Sequence, residues 1–462
     1  MLNARAKTGR FLWFRPLVLY TCLSSTSYAV SNGSNLITID EAVEIALRNN
    51  AGLQASKAEV DAAHHGTRAA RLDLLPKVDL EVGYARMDPA TVRRSNVFVD
   101  IGRSLVEQFG GPDADPNDIR PGAYSNTFST ILQIRQPIYN GGAGWAQAGI
   151  ARTIQENKEL LYEDTKHQII LDTKQGYLYA LKANELVVLA RKSLESAQQH
   201  FENTQKMLAV GLRSRADVLR WEVEKANSEG NLVEAENTYQ LALAALKEVM
   251  GLPLNEPVSL SPLAHEPVKI SETVEEQMKK SRHSHPTLRA ANASADAQRA
   301  GVRLAWAAFQ PKLNFVYQLG WEQNNTLKLD SFHFWNAGIT LSVPVFHSFA
   351  NLSRLQEQKA SLRRSEEKTE DAVRKMELQV LKSRLKVDTS LKRFNIARKA
   401  VEHSEENLRV INNSYNVGMA TNIDVLDAEL IHTQTQSDLI QARYDYWIAR
   451  AELDRSIGVP ND

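Results

Sequence analysis

The sequence predicts a mainly α-helical protein that also carries four short membrane-spanning β-strands and consists of two copies of one unit. Three observations support this fold class: blocks of sequence recur at constant offsets, each copy contains a long proline-free stretch, and short segments alternate apolar and polar residues. Lys+Arg and Asp+Glu balance at 55 each. The composition therefore gives no basic surface of the kind that binds nucleic acid.

The N-terminal segment predicts a secretion signal over residues 1–29. The cations Arg5, Lys7 and Arg10 precede a short apolar run, and the small residue Ala29 ends the segment, which is the pattern of a cleaved signal peptide. Cys22, the only cysteine, lies inside this segment. Lipid attachment at Cys22 stays open as an alternative, and the expected mature chain contains no cysteine.

Two blocks of sequence occur twice, which predicts an internally duplicated chain. Residues 38–84 match residues 273–319 at an offset of 235, and residues 132–253 match residues 339–460 at an offset of 207. A period of this size is too long for a solenoid repeat, so a whole structural unit is duplicated.

The matching blocks define the expected domains. The first repeat is expected at 30–251 and the second at 272–462, joined by a proline-rich linker over 252–271. The difference between the two offsets indicates an insertion in the first copy, after Tyr84. It holds the Gly/Pro/Asp-rich sequence GGPDADPNDIRPG, which we interpret as a surface loop.

Two proline-free stretches, at about 142–209 and about 349–416, predict very long α-helices. At 1.5 Å per residue each would extend roughly 100 Å, so we expect coiled-coil-like rods. Each stretch ends at a glycine turn, at 210–216 and 417–423. Apolar residues recur at seven-residue steps, as a coiled-coil seam requires: Val187, Leu194, Phe201 and Leu208, then Phe394, Val401, Leu408 and Tyr415.

Four segments alternate apolar and polar residues, which predicts β-strands. They lie at about 77–86, 128–137, 312–321 and 334–343. Each is about ten residues long, the length of a tilted transmembrane strand. The aromatic residues near the ends of the second pair are expected to form an interfacial girdle: Trp321, Phe332, Phe334 and Trp335.

Four strands cannot form a closed barrel by themselves. Open sheet edges would leave backbone groups unpaired in lipid, so the barrel must close through several chains. Three chains would supply twelve strands, and the sequence therefore favours oligomerisation.

Two carboxylates, Asp424 and Asp427, follow the second glycine turn in the sequence NVGMATNIDVLDA. Three residues apart on a helix, they share one face, which suits an acid–base pair, a metal site or a role outside chemistry. The first copy has Asp217 and Arg220 at the equivalent positions, so the two turns differ in charge. A helix-start carboxylate, favoured by the helix dipole, is the structural alternative for Asp424.

Other candidate sites lack the residues that their chemistry requires. The histidine pairs His64–His65 and His283–His285 have no further ligands at metal-binding spacing, and we expect them at solvated helix positions. The sequence GGAG from Gly141 lacks the Lys of a phosphate-binding loop and predicts a hinge. We expect no metal, no cofactor and no enzymatic activity.

The predicted signal, the duplicated order of helix, strands, long helix and turn, and the turns followed by DVL resemble the TolC-like outer-membrane factor family. The most specific stretch is NNSYNVGMATNIDVLDAEL, residues 412–430. The resemblance implies a homotrimer in outer-membrane lipid, with a twelve-stranded barrel that continues into a periplasmic α-helical barrel. It also implies docking with a periplasmic adaptor and an inner-membrane pump, as an exit duct for efflux or type I secretion.

The resemblance further implies roles for residues at the periplasmic end. Asp424 and Asp427 would form carboxylate rings at the pore constriction, and Tyr415 would tie this hairpin to Asp217 on the other one. Ala420 stands where the family has a basic tying residue. The remaining expected residues of the turns and gate are Gly211, Gly418 and Arg220.

Two other classes of function remain open from the sequence. A periplasmic adaptor of the same kind of export system also has a signal and a helical hairpin, but it has no need of four amphipathic strands. A secreted enzyme could use Asp424 and Asp427 as acid and base, but the pair lies between long helices without a cleft-forming domain. The transported substrate and the class of pump are not specified by the sequence.

Overall fold

The computed structural model describes residues 36–111, 115–116, 123–263, 265–324, 333–346 and 349–458. The predicted signal with Cys22, most of the Gly/Pro/Asp-rich sequence of the insertion, and Phe332 lie outside the described residues.

The described chain is mostly helical and has one four-stranded sheet. Its elements are, in order, α1 (Ile39–Asn49), α2 (Ala51–Leu72), β1 (Lys77–Arg86), α3 (Pro89–Phe109), β2 (Asn126–Asn140), α4 (Ala143–Ala209), α5 (Arg215–Val249), α6 (Val274–Ser284), α7 (Pro286–Trp306), β3 (Lys312–Asn324), β4 (His333–Ser342), α8 (Ala350–Asn416) and α9 (Asn422–Ile457). The order of two helices, two strands, a long helix and a final helix thus occurs twice, with α3 as an extra element in the first half.

Helices of the two halves begin with matching caps. Thr38 before α1 and Thr273 before α6 each form a capping box with a glutamate three residues later. Asn50 and His285, at equivalent positions, cap α2 and α7 with their side chains. Caps of this kind satisfy N–H groups that a helix leaves unpaired, so local sequence sets these helix starts.

The insertion of the first half contains a helix that the sequence analysis did not predict, α3 over Pro89–Phe109. The Asp88 carboxylate accepts hydrogen bonds from the N–H groups of Ala90 and Thr91, both at 3.1 Å. Pro89 occupies the first turn, where its missing N–H costs nothing. Asp-Pro is a helix-start signal, and the cluster of glycine and proline farther along concealed it.

The sheet is antiparallel with strand order β1-β2-β3-β4, so β1 and β4 are its edges. Its register places apolar side chains in rows on one face, because directly opposite residues share a face. One such row is Leu80, Leu132, Leu319 and Trp335. The neighbouring row on the other face is polar: Asp79, Gln133, Gln318 and Asn336.

Polar contacts tie the second face together. The Arg135 guanidinium lies 2.8 Å from the Asp79 carboxylate, across strands β1 and β2. Phe334 belongs to this face as well, where its ring covers Gly320. It therefore does not share a face with Trp335, as an aromatic girdle of both residues would require.

The long helices α4 and α8 have 67 residues each and extend roughly 100 Å. Each packs along the following helix, so that α4–α5 and α8–α9 form two long hairpins. None of the described helices combines the length and the apolar character that crossing a membrane requires.

The largest apolar cluster lies midway along the rods, where α1, α4, α5 and α9 meet. Tyr177 lies at its centre, and its hydroxyl donates between the carbonyls of Ile37, at 2.8 Å, and Ser261, at 2.7 Å. Burial raises the pKa of Tyr177 to about 12, so the hydroxyl remains a donor. This contact fastens the start of the described chain and the inter-repeat linker to α4.

Each half ends at a glycine that lies against the break between its first two helices. Gly251 has φ +66° and Gly458 has φ +75°, both in the left-handed region. A Cβ on Gly458 would lie 2.8 Å from the Cα of His285, and one on Gly251 would lie 2.7 Å from the carbonyl oxygen of Asn49. Both conformation and space therefore require glycine here.

We predict that Gly458→Ala lowers the free energy of unfolding by about 1–3 kcal/mol, since alanine is strained at positive φ and clashes with His285. Thermal melting of the purified protein measures the effect. The control is Gly230→Ala inside α5, where a Cβ meets nothing within 4 Å and helix propensity improves by roughly 0.5–1 kcal/mol. Equal melting shifts for the two variants would contradict this account.

Candidate functional site

The candidate site is the tip of the rods, formed by the turns 210–214 and 417–421 with the first turns of α5 and α9. Gly211 has φ +78° and Gly418 has φ +80°. In both turns a six-residue hydrogen bond closes the helix end, from Leu212 to the Met207 carbonyl at 2.9 Å and from Met419 to the Ser414 carbonyl at 2.8 Å. Glycine allows the left-handed conformation at a helix C-terminus, so the repeated Val-Gly sequence ends α4 and α8.

The repeated Asp-Val-Leu sequence lies in the first turn of α5 and of α9. The Asp424 carboxylate accepts hydrogen bonds from the backbone N–H and the hydroxyl of Thr421, both at 2.7 Å. Asp217 does the same with Ser214, at 3.1 and 2.7 Å. These are reciprocal capping boxes. Hydrogen bonds from the cap residues lower the pKa of both carboxyl groups, so both are charged at neutral pH.

Asp427 has no such structural task. It is exposed, as Asp424 is, and no hydrogen bond or ion pair involving its carboxylate is found in the described part of the chain. Both carboxylates lie on one face of α9. Arg220, its counterpart on α5, is also exposed, so the two hairpins present opposite charges at equivalent positions.

Tyr415 is buried between the two hairpins, where it packs with Trp221 and Val425. The guanidinium carbon of Arg213 lies 4.3 Å from the centre of its ring, a cation–π distance. Among the described contacts no hydrogen bond joins the Tyr415 hydroxyl to Asp217, the partner that the family resemblance implies.

Arg213 is a residue that sequence reasoning missed. It lies on the first turn at the position equivalent to Ala420 on the second, at the offset of 207. The second turn has no cation near Tyr415 in the sequence, and Arg213 of the first hairpin supplies one in the folded chain. Aligning the two copies would have identified Arg213, because it is the counterpart of Ala420 in the first turn.

Trp221 links the hairpins and was also missed. Only 2% of it is exposed, and its indole N–H donates to the Asn422 side-chain oxygen at 2.5 Å. Its ring stacks on His200, with centroids 4.5 Å apart and planes 11° apart. The tip of one chain is therefore held by contacts between helices that are distant in sequence.

Glu429 of α9 continues this link. Its carboxylate accepts a hydrogen bond from Ser196 at 3.1 Å and lies 3.4 Å from the His200 ring nitrogen. Burial raises the pKa of Glu429, but the hydrogen bonds from His200 and Ser196 lower it more, and the net shift is downward. Glu429 is thus a charged, partly buried partner of the stacked pair.

One of the dismissed histidines occupies an unexpected environment. His285 is only 2% exposed, so the expectation of a solvated position is wrong for it, although it does begin a helix. Its ring lies 2.9 Å from Arg455, whose guanidinium also binds the Asp164 carboxylate at 2.7 Å. Burial and the Arg455 charge lower the pKa of His285 to about 4. The cluster joins α4, α7 and α9 through a neutral imidazole.

Metal-binding geometry is not found in the described residues, where no group of three or more His, Cys, Asp or Glu side chains could hold an ion. Asp424 and Asp427 lie on an exposed helix face rather than in a cleft. The tip is therefore suited to electrostatic interactions and to protein contacts.

The sequence and fold of this chain are similar to those of known outer-membrane proteins. The family described as outer membrane efflux protein matches residues 42–252 and 278–459. The outer membrane protein TolC of Escherichia coli is 24% identical over 97% of this chain and 86% of its own length. The proteases secretion protein PrtF of Dickeya chrysanthemi is 25% identical over 97% of this chain and 93% of its own.

A solved structure shows the same fold. The outer membrane protein VceC of Vibrio cholerae superimposes with a TM-score of 0.74 over 91% of this chain and 96% of its own, at 17% sequence identity. The fold and the family match cover the sheet, both rods and the tip. The chain belongs to the outer membrane efflux protein family and is an efflux or secretion channel of the outer membrane.

Proposed function

We propose that three copies of this chain form a passive exit duct, a twelve-stranded barrel in the outer membrane that continues into an α-helical tunnel through the periplasm. The duct has no catalytic activity of its own. It receives substrates from an inner-membrane pump through a periplasmic adaptor, in a tripartite efflux or type I secretion system.

The observation that carries the proposal is the sheet. Its apolar face is exposed in one chain, with Leu80 and Trp335 each 66% accessible, while the opposite face is polar. Both edges, β1 and β4, are unpaired within the described chain. Lipid outside and water inside would match the two faces, and pairing β1 with β4 of the next chain would satisfy the edges.

The rods support the periplasmic part of the proposal. Two hairpins per chain give twelve helices in a trimer, and their roughly 100 Å length suits a tunnel that spans a compartment. The repeated element order supports the expected repeats at 30–251 and 272–462 with a linker at 252–271, and we further propose that residues 1–29 are a cleaved signal. The matching caps and glycines of the two halves support duplication of one ancestral unit.

The tip supports docking of the adaptor. Leu212 and Met419 are 73% and 80% exposed, and each follows the glycine of its turn. Apolar side chains held out at the end of a rod are typical of a binding surface. Other exposed apolar residues of the two turns are Val210 and Val417.

The tip also supports a gate. We propose that Asp424 and Asp427 line the constriction and that three copies stack six carboxylates around the axis. Tyr415, under Arg213, holds the second hairpin against the first and keeps the constriction narrow. Asp217 and Arg220 belong to the outer hairpin, where Asp217 caps α5.

The whole proposal is tested by fractionation. The duct predicts a trimer in outer membranes that resists SDS until it is heated, because β-barrel edges are fully paired only in the trimer. Soluble monomer in the periplasm would overturn the proposal. An outer-membrane monomer would overturn its oligomeric part.

For the constriction, we predict that Asp424→Asn combined with Asp427→Asn lowers cation selectivity and weakens block by multivalent cations in planar bilayers. Asparagine removes charge and retains a polar side chain at the capping box, which alanine would not. The matched control is Arg220→Gln, at the equivalent position of the other hairpin, which should leave selectivity unchanged. Unaltered selectivity and block in the double variant would place these carboxylates away from the pore.

For the contact between Arg213 and Tyr415, we predict that Arg213→Ala raises single-channel conductance. Tyr415 loses the cation that covers it, so the second hairpin is held less tightly against the first. Adding Ala420→Arg returns a cation beside Tyr415 from its own turn and should restore most of the low conductance. Arg215→Ala, on the same turn without a described contact to Tyr415, is the control. Wild-type conductance in Arg213→Ala would show that this contact does not hold the gate.

A further inference from the structure

Among the described residues, no helix or strand covers helix α3. It has 21 residues, none of which is buried in one chain, and it makes no extended contact with another described helix or strand. Phe98 and Phe109 are 84% and 75% exposed, and Ile101 and Leu105 between them are exposed as well. These four residues, spaced i, i+3, i+7 and i+11, form one apolar stripe, named here the α3 stripe.

The helix is firmly attached to its own chain. The N–H of Met87 donates to the Ser125 carbonyl at 2.8 Å, which continues the β1–β2 ladder up to the start of α3. The Asn96 side chain donates to the Ala123 carbonyl at 2.7 Å and accepts from the Ala123 N–H at 2.8 Å. Strands β1 and β2 therefore fix α3 at the end of the sheet that is remote from the rods.

Only one flank of the helix is used by these contacts. Val92, Val99 and Val106 lie on the same side as Asn96 and are half-buried. The α3 stripe lies on an adjoining side and is left to solvent. In proteins most of the stability of a helix comes from packing its apolar face against other elements, and the described part of the chain provides no such surface for the α3 stripe.

The position of β1 indicates which surface that is. It is an edge strand, and α3 begins three residues after its last residue, Arg86. In the proposed trimer, on which this inference rests, the free edge of β1 meets the next chain. Helix α3 thus lies beside the boundary between two copies.

Dimensions allow contact with the next copy of α3. Twelve strands about 4.8 Å apart, tilted by about 40°, enclose a barrel roughly 24 Å across. Equivalent points of neighbouring chains are then roughly 20 Å apart in a straight line and roughly 25 Å apart around the rim. A 21-residue helix is about 30 Å long, so it spans that separation.

We propose that the α3 stripe packs against the α3 helices of the neighbouring copies, so that three helices narrow and brace the distal mouth of the duct. The spacing of the stripe is that of a helix–helix seam. Lipid is the less favoured occupant, because interfacial helices are rich in Lys and Arg on the polar side. The five charged residues of α3 instead include both signs: Arg93, Arg94 and Arg103 with Asp100 and Glu107.

Single-cysteine variants of the full chain test this proposal, since the only native cysteine lies in the predicted signal. Leu105→Cys and, separately, Phe98→Cys should give covalently linked dimers on denaturing gels after brief oxidation of the purified trimer. Glu107→Cys, two residues from Leu105 but on the opposite side of the helix, should give none. A second measurement uses Phe98→Ser with Leu105→Ser, which should lower the temperature at which the trimer dissociates in SDS by several degrees.

The outcomes separate this proposal from the proposed function. An SDS-resistant trimer without cross-linked dimers and without a lower dissociation temperature overturns the packing of α3 and leaves the duct intact. Absence of any trimer overturns both. If a fluorophore on Leu105→Cys is quenched by brominated lipid in vesicles and no dimers form, the α3 stripe lies on lipid and the proposal is wrong.

Discussion

Backbone hydrogen bonding at the two open edges of the sheet is the constraint on which the rest of the molecule depends. One chain pairs β1 through β4 and leaves one side of β1 and one side of β4 without partners. Hydrocarbon offers no substitute for a missing hydrogen bond, whereas water does. In the proposed barrel, the chain is therefore complete only when other chains pair with both edges, and its helices are arranged around the same axis.

The rods extend this arrangement away from the membrane with little core of their own. Each hairpin is a two-helix layer, and contacts between α4 and α9 join the two hairpins along the rods. Between the middle and the tip, Lys182 binds Asp445 at 3.0 Å and Ser196 binds Glu429 at 3.1 Å. At the tip itself, Trp221 and Tyr415 join the turns.

Elements that depend on local sequence can be predicted, and elements that depend on distant contacts cannot. Alternation is enough to locate β1, and the absence of proline together with the glycine turns locates α4 and α8. The contact of Arg213 with Tyr415 joins residues far apart in the chain, so no local pattern contains it. His285 is similar, since its burial depends on Gly458 and Arg455 of the last helix. Helix α3 differs, because its start signal at Asp88 was present and the glycine and proline downstream outweighed it.

Asp424 is tied to the folding of its own helix, whereas Asp427 is not, and this difference bears on how such a channel evolves. A lineage that altered residue 424 would give up a capping box along with a charge, so selection on folding protects that carboxylate whatever the cargo. Residue 427 has no capping role, and its counterpart in the first half of the chain is an arginine, Arg220. In the proposed constriction, residue 427 is therefore free to diversify, whereas residue 424 is inherited with the architecture.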